Sequence, residues 1–355
     1  MDAYKLALDL FSLLALSTVV LPLVKKDHWI FRIFDYPRLQ KFILIGVALF
    51  LWIGFYRETR LWYELIVIAV LLSSFLYLGY RIVPFTPLGR KMIAKSENKS
   101  RTGTLNVLVA NVYQYNDAFN RLLSLISDRD PDIIFLLETD KKWLDAMQEL
   151  KADYPHAIEV PLDNTYGLLF YSRLPLSHKT VNYLIDNEIP SIVADIPFKG
   201  ETVRIFGVHP APPVPQEAKY STDRDAELLM VGQEAKRYKG PCIVMGDLND
   251  VAWSYTTKLF LKSSGLLDPR RGRGMYSTFH AKYFLLRWPL DHFFVSKHFH
   301  LVDMRVERHI GSDHFPISIS LVLSDEMDAH TLKADPADKE LVAEKIEAGI
   351  NNEPR

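Results

Sequence analysis

The sequence predicts an α/β domain built of two packed mixed sheets with outer helices, preceded by three helices that cross a membrane. Three observations support this fold class. The N-terminal 82 residues contain three long apolar runs. From residue 104 onward, short β-rich runs alternate with longer amphipathic stretches. Several predicted strands follow one another with no helix between them, which favours two packed sheets over a single doubly wound sheet.

The composition excludes several classes of protein. The chain has 355 residues, of which 48% are hydrophobic and 24% are charged, so it is neither wholly disordered nor collagen-like. Its net charge of −1 favours no partner by charge alone. Cys242 is the only cysteine in the sequence, which excludes an intramolecular disulfide, a cysteine-based zinc site and an iron–sulfur cluster.

The three apolar runs are residues 6–24, 42–56 and 61–80. A membrane span needs roughly 20 residues, so the first and third runs are long enough. The second run is short, but Lys41 and Arg57 at its ends can extend their charged groups to the interface. The alternative for the first run is a cleavable signal peptide, but two further runs follow it closely. We therefore expect a retained three-span anchor.

The distribution of Lys and Arg predicts the orientation of this anchor. The loop between the first two spans and the segment after the third contain eleven Lys and Arg residues, and the opposite side has three. This excess favours the cytoplasmic side for the large domain. We expect a multi-pass protein of a plasma or inner membrane, in contact with the lipid bilayer through residues 6–80. The sequence identifies no protein partner.

Four segments follow from these patterns. Residues 1–82 form the anchor, and residues 83–103 are predicted to be a basic, flexible tether near anionic headgroups. Residues 104–323, with a net charge of −2, form the α/β domain. Residues 324–355, with a net charge of −5, form an acidic polar tail. For this tail the composition favours disorder, with one short amphipathic helix as the alternative.

Within the α/β domain, continuous apolar runs predict buried strands, and apolar residues at helical spacing predict outer helices. Strands are predicted at residues 104–110, 132–138, 165–172, 180–185, 191–197, 202–208, 242–248, 290–296, 300–306 and 316–323. Helices are predicted at residues 116–127, 141–151, 221–238 and 253–264.

Polar residues recur at the ends of the predicted strands. Strand ends at one edge of an α/β sandwich converge on a common cleft, so we expect these side chains to form one site. They are Asn111, Glu138, His209, Asp247, Asn249, Asp291, His292, Ser312, Asp313 and His314.

This set of carboxylates, amides and imidazoles suits a hard cation with oxygen ligands. The sequence contains neither a P-loop nor a GxGxxG motif, and it lacks a GxSxG nucleophile elbow. Metal-assisted hydrolysis remains, and the substrate we expect is a phosphate ester.

The ordered motifs resemble those of the endonuclease/exonuclease/phosphatase superfamily. The motifs are NVLVANVYQYN, PDIIFLLETD, GLLFYSR, GVHPAPP, VMGDLND, RWPLDHFFVS and GSDHFPI. The resemblance covers roughly residues 104–322 and implies a four-layer α/β sandwich. The superfamily includes deoxyribonucleases, inositol-polyphosphate 5-phosphatases and neutral sphingomyelinases. It therefore implies hydrolysis of a phosphodiester or phosphomonoester by metal-activated in-line attack of water.

The resemblance also implies the metal ligands. Glu138 is the expected main ligand of Mg²⁺, assisted by Asn111 and Asp313. Mn²⁺ is the expected substitute for Mg²⁺.

The catalytic roles likewise follow from the resemblance. Asp247 orients or deprotonates the attacking water, or protonates the leaving group, and Asn249 hydrogen-bonds the nucleophile or a phosphate oxygen. Asp291 and His314 form a carboxylate–imidazole pair in which the carboxylate fixes the tautomer. His209 donates a hydrogen bond to the charge that develops on phosphorus.

Two arginines are candidates for binding the substrate phosphate, Arg173 and Arg287. The alternative for Arg173 is a structural salt bridge. Two other polar residues at strand ends are assigned structural roles. His292 follows Asp291 on a strand, so alternation sends its side chain to the other face. Ser312 is expected to hold the turn that contains His314.

The substrate class is less well defined. Nucleic-acid enzymes usually carry a basic patch, and the local basic cluster here is Arg270, Arg271 and Arg273. These arginines meet either a phosphate-rich ligand or the membrane headgroups. Residues 275–288 are rich in aromatic and aliphatic side chains, which suits an apolar rim for lipid. We therefore favour a phospholipid-type substrate, with a nuclease acting on DNA, RNA or nucleotides as the alternative.

Two other classes of protein fit the sequence less well. A non-catalytic membrane scaffold would retain the fold and lose activity, but all of the expected catalytic residues are present. A transporter is disfavoured because the spans contain no repeat and few polar residues.

Overall fold

The computed structural model describes residues 2–24, 26–96, 103–325 and 329–353. The N-terminal part contains three long helices and one short helix in the loop between the first two. These are α1 (Asp2–Val20), α2 (Trp29–Arg32), α3 (Arg38–Thr59) and α4 (Trp62–Ile82). Three segments are long and apolar enough to cross a membrane: Ala3–Leu23, Arg38–Arg57 and Trp62–Phe85, with 21, 20 and 24 residues.

The helices pack through a narrow strip of side chains and expose apolar residues elsewhere. Ile45, Trp52 and Leu71 are buried between the helices, whereas Leu14 and Phe50 are exposed. An exposed apolar surface of this kind fits a lipid environment. The second long helix, α3, begins at Arg38 and ends at Thr59. It is therefore longer than the apolar run at residues 42–56 predicted.

The α/β domain contains two mixed sheets. One is six-stranded, in the order β10-β11-β1-β2-β4-β3, and the other is five-stranded, in the order β5-β6-β7-β8-β9. The first sheet comprises β1 (Leu105–Asn111), β2 (Ile133–Leu137), β3 (His156–Val160), β4 (Leu168–Ser172), β10 (Phe299–Val306) and β11 (Ile317–Leu323). The second comprises β5 (His178–Asn182), β6 (Ser191–Phe198), β7 (Glu201–Gly207), β8 (Cys242–Asp247) and β9 (Asp291–Val295).

The sheets pack face to face around a continuous apolar core. Val109 and Phe135 of the first sheet and Ile205, Met245 and Phe293 of the second are buried in it. The opposite face of each sheet is covered by helices, so the domain has four layers. The outer helices are α5 (Phe119–Arg129) and α6 (Lys141–Ala146) on the first sheet, and α7 (Thr222–Arg237) and α8 (Tyr255–Ser264) on the second. The predicted fold class is confirmed.

Strand β3 was not predicted. It is an edge strand that pairs only with β4, and Ile158 is its one fully buried residue. A strand with one buried position carries neither a continuous apolar run nor a clear alternation. Its sequence therefore contains no strong strand signal.

The prediction of a flexible tether is wrong for residues 83–96. Met92 and Ile93 are buried in the core between the sheets. The Ser96 backbone N–H donates to the Leu301 carbonyl at 2.8 Å, and Arg273 donates to the Ile93 carbonyl at 2.7 Å. Buried apolar side chains and backbone hydrogen bonds therefore dock a segment whose composition is mostly polar and basic. Residues 97–102 lie outside the described part.

The tail contains a folded helix, α9 (Pro336–Ile350), where the composition favoured disorder. Asp335 and Asp338 form a reciprocal capping box at its start. Val342 packs with the outer apolar cluster of the second sheet. Lys345 is buried, and its Nζ donates to Asp27 at 2.8 Å and to Asp225 at 3.0 Å. The helix thus joins the loop between α1 and α3 to the α/β domain.

Candidate active site

The amide of Asn111 lies between two carboxylates at the centre of the site. Asn111 ends β1, Glu138 follows β2 and Asp247 ends β8, so three strand ends meet here. The Asn111 Nδ2 donates to Glu138 Oε1 at 2.7 Å and to Asp247 Oδ2 at 3.0 Å. The Asn111 Oδ1 accepts from the Tyr113 backbone N–H at 3.0 Å. In this arrangement Asn111 holds the carboxylates, and its oxygen faces the backbone of Tyr113.

The backbone supports this arrangement. Glu138 has a φ of 58° and Asn249 a φ of 49°, both in the left-handed region that side chains other than glycine rarely adopt. Such conformations concentrate at functional sites, where the surrounding structure maintains them.

The positive charge near Glu138 does not offset the burial of its carboxylate. Burial, with the charges of Asp313 and Asp247, raises the pKa of Glu138 to about 7, although the Asn111 hydrogen bond and His314 oppose the shift. A divalent cation beside Glu138 and Asp247 would supply the missing charge, and its preferred ligands are the oxygens available here. The residues present therefore fit a Mg²⁺-type ion.

A carboxylate–imidazole pair lies beside this centre. Asp247 and Asp291 face each other across the β8–β9 ladder. His314 Nδ1 lies 2.8 Å from Asp291 Oδ2, and His314 Nε2 lies 3.5 Å from Asp247 Oδ2. Asp247, Asp291 and His314 each offer one atom that could bind a metal ion, and these three atoms lie within 4.8 Å of one another. Burial alone would lower the pKa of His314, but the charges of Asp291 and Asp247 raise it to about 10.

This shift predicts how stability depends on pH in metal-free protein. The folded pKa of His314, about 10, exceeds the unfolded value of about 6.5. The stabilisation from protonated His314 is therefore complete below about pH 6.5 and is lost as pH rises toward 10. In EDTA, the Tm of the wild type relative to His314→Gln should fall by at least about 5 °C between pH 6 and pH 10. Asp291→Asn should remove most of this pH dependence. A Tm difference between the wild type and His314→Gln that does not change with pH would contradict the raised pKa of His314.

Asn249 and His209 complete the cluster. The Asn249 backbone N–H donates to Asp247 Oδ1 at 2.9 Å, and its Nδ2 donates to the Pro210 carbonyl at 3.0 Å. His209 is buried, and its Nδ1 has no hydrogen-bond partner among the described residues. Burial lowers the pKa of His209 to about 4, against the charge of Asp247. His209 is therefore a neutral imidazole at pH 7.

The turn before β11 positions His314 and Asp313. Ser312 Oγ donates to the Asn111 carbonyl at 2.8 Å and accepts from the His314 backbone N–H at 3.0 Å, so it holds this turn. Asp313 is partly exposed, and its charge acts on both Glu138 and His314. Asp313 therefore lies close to the centre.

His292 has structural contacts on the other side of the strand. It is fully buried, its Nε2 lies 2.8 Å from the Asp250 carbonyl, and its Nδ1 lies 2.6 Å from Arg270 Nη2.

Of the two predicted phosphate-binding arginines, the structure brings one near the cluster. Arg287 packs over the ring of Phe315, next to His314 in sequence, with 4.8 Å from its Cζ to the ring centroid. Arg173 follows β4 at the opposite edge of the sheet, where it pairs with Asp130 and lies over the Tyr154 ring. Its contacts are those of a structural salt bridge, so Arg173 is left out of the proposed substrate site.

The basic cluster at residues 270–273 is likewise structural. Arg270 is fully buried and donates to Asp268, and Arg271 lies over the ring of Phe85. Arg273 donates to the backbone carbonyls of Pro269 and Ile93. Arg270 and Arg273 therefore donate to groups inside the protein and Arg271 packs on Phe85, so the three arginines are left out of the proposed substrate site.

The loop between the first two long apolar helices supports the site. The sequence analysis did not predict this support. The Tyr36 hydroxyl donates to the Asn249 carbonyl at 2.8 Å, and Arg224 Nη1 donates to the same oxygen at 2.7 Å. The Trp253 Nε1 donates to the Asp35 carbonyl at 2.9 Å. Nothing in the sequence around Tyr36 indicates these contacts, since Tyr36 and Asn249 are 213 positions apart.

The two packed sheets and the polar centre at their edge define the fold and site of a phosphoester hydrolase. Residues 103–314 match the profile of the Endonuclease/Exonuclease/phosphatase family, so the chain belongs to this family. Its members are metal-dependent phosphoester hydrolases.

Solved structures show the same fold. D. rerio TDP2 complexed with a single-strand DNA product is 18% identical, with a TM-score of 0.52, over 61% of this chain and 98% of that chain. The human Nocturnin catalytic domain with bound sulfate is 19% identical, with a TM-score of 0.52, over 63% of this chain and 95% of that chain. A family protein from Bacteroides thetaiotaomicron is 20% identical, with a TM-score of 0.51, over 64% and 98%. Among curated proteins, no sequence matches the chain significantly.

Proposed function

We propose that this protein is a membrane-anchored, Mg²⁺-dependent phosphoesterase that hydrolyses a phospholipid-type substrate. The observation that carries the lipid assignment is an apolar loop tip beside the candidate active site. The tip consists of four exposed residues, Tyr283, Phe284, Leu285 and Leu286. Phe284 and Leu285 are 76% and 74% exposed. Contiguous exposed apolar residues of this kind mark interaction sites with membranes or other proteins.

The tip lies at the end of a membrane helix. The Leu285 carbonyl accepts a hydrogen bond at 2.6 Å from Gln40 Nε2, in the first turn of α3. The apolar segment of α3 begins at Arg38. If that segment spans the bilayer, the tip is at the depth of the headgroups and acyl-chain boundary. An anchored enzyme gains effective concentration for a substrate in the same membrane.

The base of the same loop touches the catalytic pair. The Phe279 ring packs against His314, with 4.9 Å between ring centroids. The Ala281 backbone N–H donates to the Asp313 carbonyl at 2.6 Å. A phosphate ester presented at the bilayer surface would therefore have a short path to Asp313 and His314.

The anchor and its orientation are part of the proposal. The loop after the first helix and the segment after the third both contact the α/β domain, which supports placing both on one side of the membrane. The excess of Lys and Arg on that side favours the cytoplasmic face.

The residues support in-line attack of water on phosphorus. A bound Mg²⁺ held by Glu138, with Asp313 close by, would polarise the phosphoryl oxygen and neutralise its charge. Asp247 orients the attacking water. Protonated His314, held by Asp291, stabilises the charge that develops on the phosphate oxygens.

His209 and Asn249 complete this assignment. Because His209 is a neutral imidazole, it donates a hydrogen bond without adding a charge to the site. Asn249, fixed through its backbone, is assigned to hold the nucleophile or a phosphate oxygen.

An assay of the full chain in liposomes with Mg²⁺ tests this function. Phospholipids with defined headgroups, sphingomyelin, inositol phosphates, DNA and RNA would be compared, with EDTA and Asp247→Asn as controls. We expect a phospholipid to release its headgroup product, and both controls to abolish that release. Cleavage of DNA or RNA with no phospholipid turnover would replace the lipid assignment by the nuclease. No turnover of any class by folded, Mg²⁺-binding protein would favour the scaffold.

The loop tip gives a prediction specific to lipid. Leu285→Asp places a charge where the proposal places an apolar side chain in the bilayer. Burying one such side chain stabilises by about 1.5–3 kcal/mol, so the ratio of vesicle turnover to turnover of soluble bis(p-nitrophenyl) phosphate should fall about tenfold or more. Tyr183→Asp, at an exposed aromatic residue on another loop, is the matched control. An unchanged ratio in Leu285→Asp would remove the tip from the proposal.

A further inference from the structure

A second polar site lies where the domain-side ends of the three apolar helices meet the α/β domain. It is a cavity of about 120 Å³. By the same measure a single water needs about 10–15 Å³, so the cavity has room for a larger polar group. Four cationic side chains and one carboxylate line it: Arg32, Arg38, Lys41, Arg81 and Asp35. None of the residues assigned to the active site contributes to this lining.

The charges in the cavity do not balance. Arg32 is paired with Asp27 at 2.8 Å, outside the lining. Asp35 lies 3.9 Å from Arg32 and 3.8 Å from Arg38, and it is the only lining carboxylate among the described residues. Three further cations therefore share one carboxylate, which leaves a net positive cavity.

Arg38 offers an unused donor to this cavity. Its side chain is 7% exposed, yet its Nη1 has no hydrogen-bond partner among the described residues. The guanidinium lies over the ring of Trp253, with 5.7 Å from its Cζ to the ring centroid, which fixes its position. A buried N–H donor without a hydrogen-bond partner is costly, and an anion in the cavity would remove that cost.

The rest of the wall consists of Tyr255 of α8, Tyr77, and apolar side chains of the long apolar helices. Val19 and Leu23 close it at the end of the first apolar segment, and Leu78 contributes from the third. Positive charge next to apolar helix surface, at headgroup depth, suits an amphiphile with an anionic head. Arginine is well suited to phosphate because its planar donors match the phosphate oxygens.

We propose that this cavity binds the phosphate group of an anionic phospholipid, separately from the active site. The inference rests on the proposed membrane location, but it does not depend on the proposed reaction. The same donors would accept inorganic phosphate, so the experiment separates the two sources.

Lipid retention by the purified full chain in detergent tests the site. Native mass spectrometry would measure binding of phosphatidylglycerol and phosphatidylcholine, without any catalytic readout. We expect the wild type to retain phosphatidylglycerol selectively, and Arg38→Gln to weaken this binding about tenfold to a hundredfold, as for loss of a charge-assisted hydrogen bond. Arg57→Gln, exposed at the other end of the same helix, should behave as the wild type.

Arg81→Gln is the second variant, and it decides the question if Arg38→Gln does not fold. Equal phosphatidylglycerol affinity in folded Arg38→Gln or Arg81→Gln and in Arg57→Gln would overturn the site. An absence of headgroup preference in the wild type would overturn the lipid assignment. If the wild type shows no headgroup preference, and inorganic phosphate binds the wild type but not Arg38→Gln, the ligand is free phosphate. If the protein hydrolyses no phosphate ester but retains phosphatidylglycerol selectively, the proposed function fails and this binding site is still supported.

Discussion

Asp247→Asn is expected to lower kcat by about 10²–10⁴-fold, the range for loss of a positioned acid–base group. Asp247 accepts from Asn111 and from the Asn249 backbone, and it lies 3.5 Å from His314 Nε2. An amide in its place would present a donor to one of these donors and would carry no charge to orient water. Turnover of bis(p-nitrophenyl) phosphate with Mg²⁺ measures the effect without any assumption about the natural substrate.

The same variant separates catalysis from stability. Two effects of this substitution on stability oppose each other. Burial raises the pKa of Asp247, so removal of its charge is favourable, whereas the amide loses one of the hydrogen bonds that Asp247 accepts. We expect Tm to change little while kcat falls. Asp303→Asn, at an exposed carboxylate paired with Arg305, is the matched control for both measurements. A loss of activity matched by an equal loss of folded protein would show that Asp247 acts structurally.

Lys345→Met is expected to produce the largest loss of stability. Lys345 is buried between Asp27 and Asp225. Burial alone would raise the pKa of Asp225, but the charges of Lys345 and Arg224 hold it below its usual range. Removing one partner from a buried ionic group typically costs about 3–5 kcal/mol, because the remaining charges stay buried. For a domain of this size the Tm should fall by roughly 6–20 °C, measured by thermal unfolding in detergent.

Lys339→Met supplies the control for this prediction. Lys339 is exposed on the same helix. Its substitution therefore removes a lysine without disturbing the buried contacts of Lys345 with Asp27 and Asp225. Equal Tm values for the two variants would mean that the contacts of Lys345 contribute nothing to stability. A low Tm for Lys345→Met alone would establish α9 as part of the folded unit.

The sequence predicted the fold wherever burial is continuous. The run that ends at Asp247 is apolar throughout, as expected for a strand covered on both faces. The approach failed where burial depends on distant partners. Ile158 alone anchors the edge strand β3, and Lys345 reads as a solvated charge until Asp27 is placed beside it.

The site was predictable in its centre and not in its support. The rule that strand ends converge brought Asn111, Glu138 and Asp247 together, and the family resemblance supplied the pairing of Asp291 with His314. The contact of Tyr36 with Asn249 was not predictable, because a hydroxyl that binds a backbone carbonyl leaves no pattern in the sequence. The pairing of Arg270 with Asp268 was not predictable, because a sequence shows charges without showing which of them are buried together.

The contact of Lys345 with Asp27 also orders events during biosynthesis. These residues are 318 positions apart, so the apolar helices leave the ribosome long before Lys345 does. Asp27 therefore has no lysine partner in the nascent chain until the last helix is made. A chain that stops before α9 would leave both Asp27 and Asp225 without this buried cation.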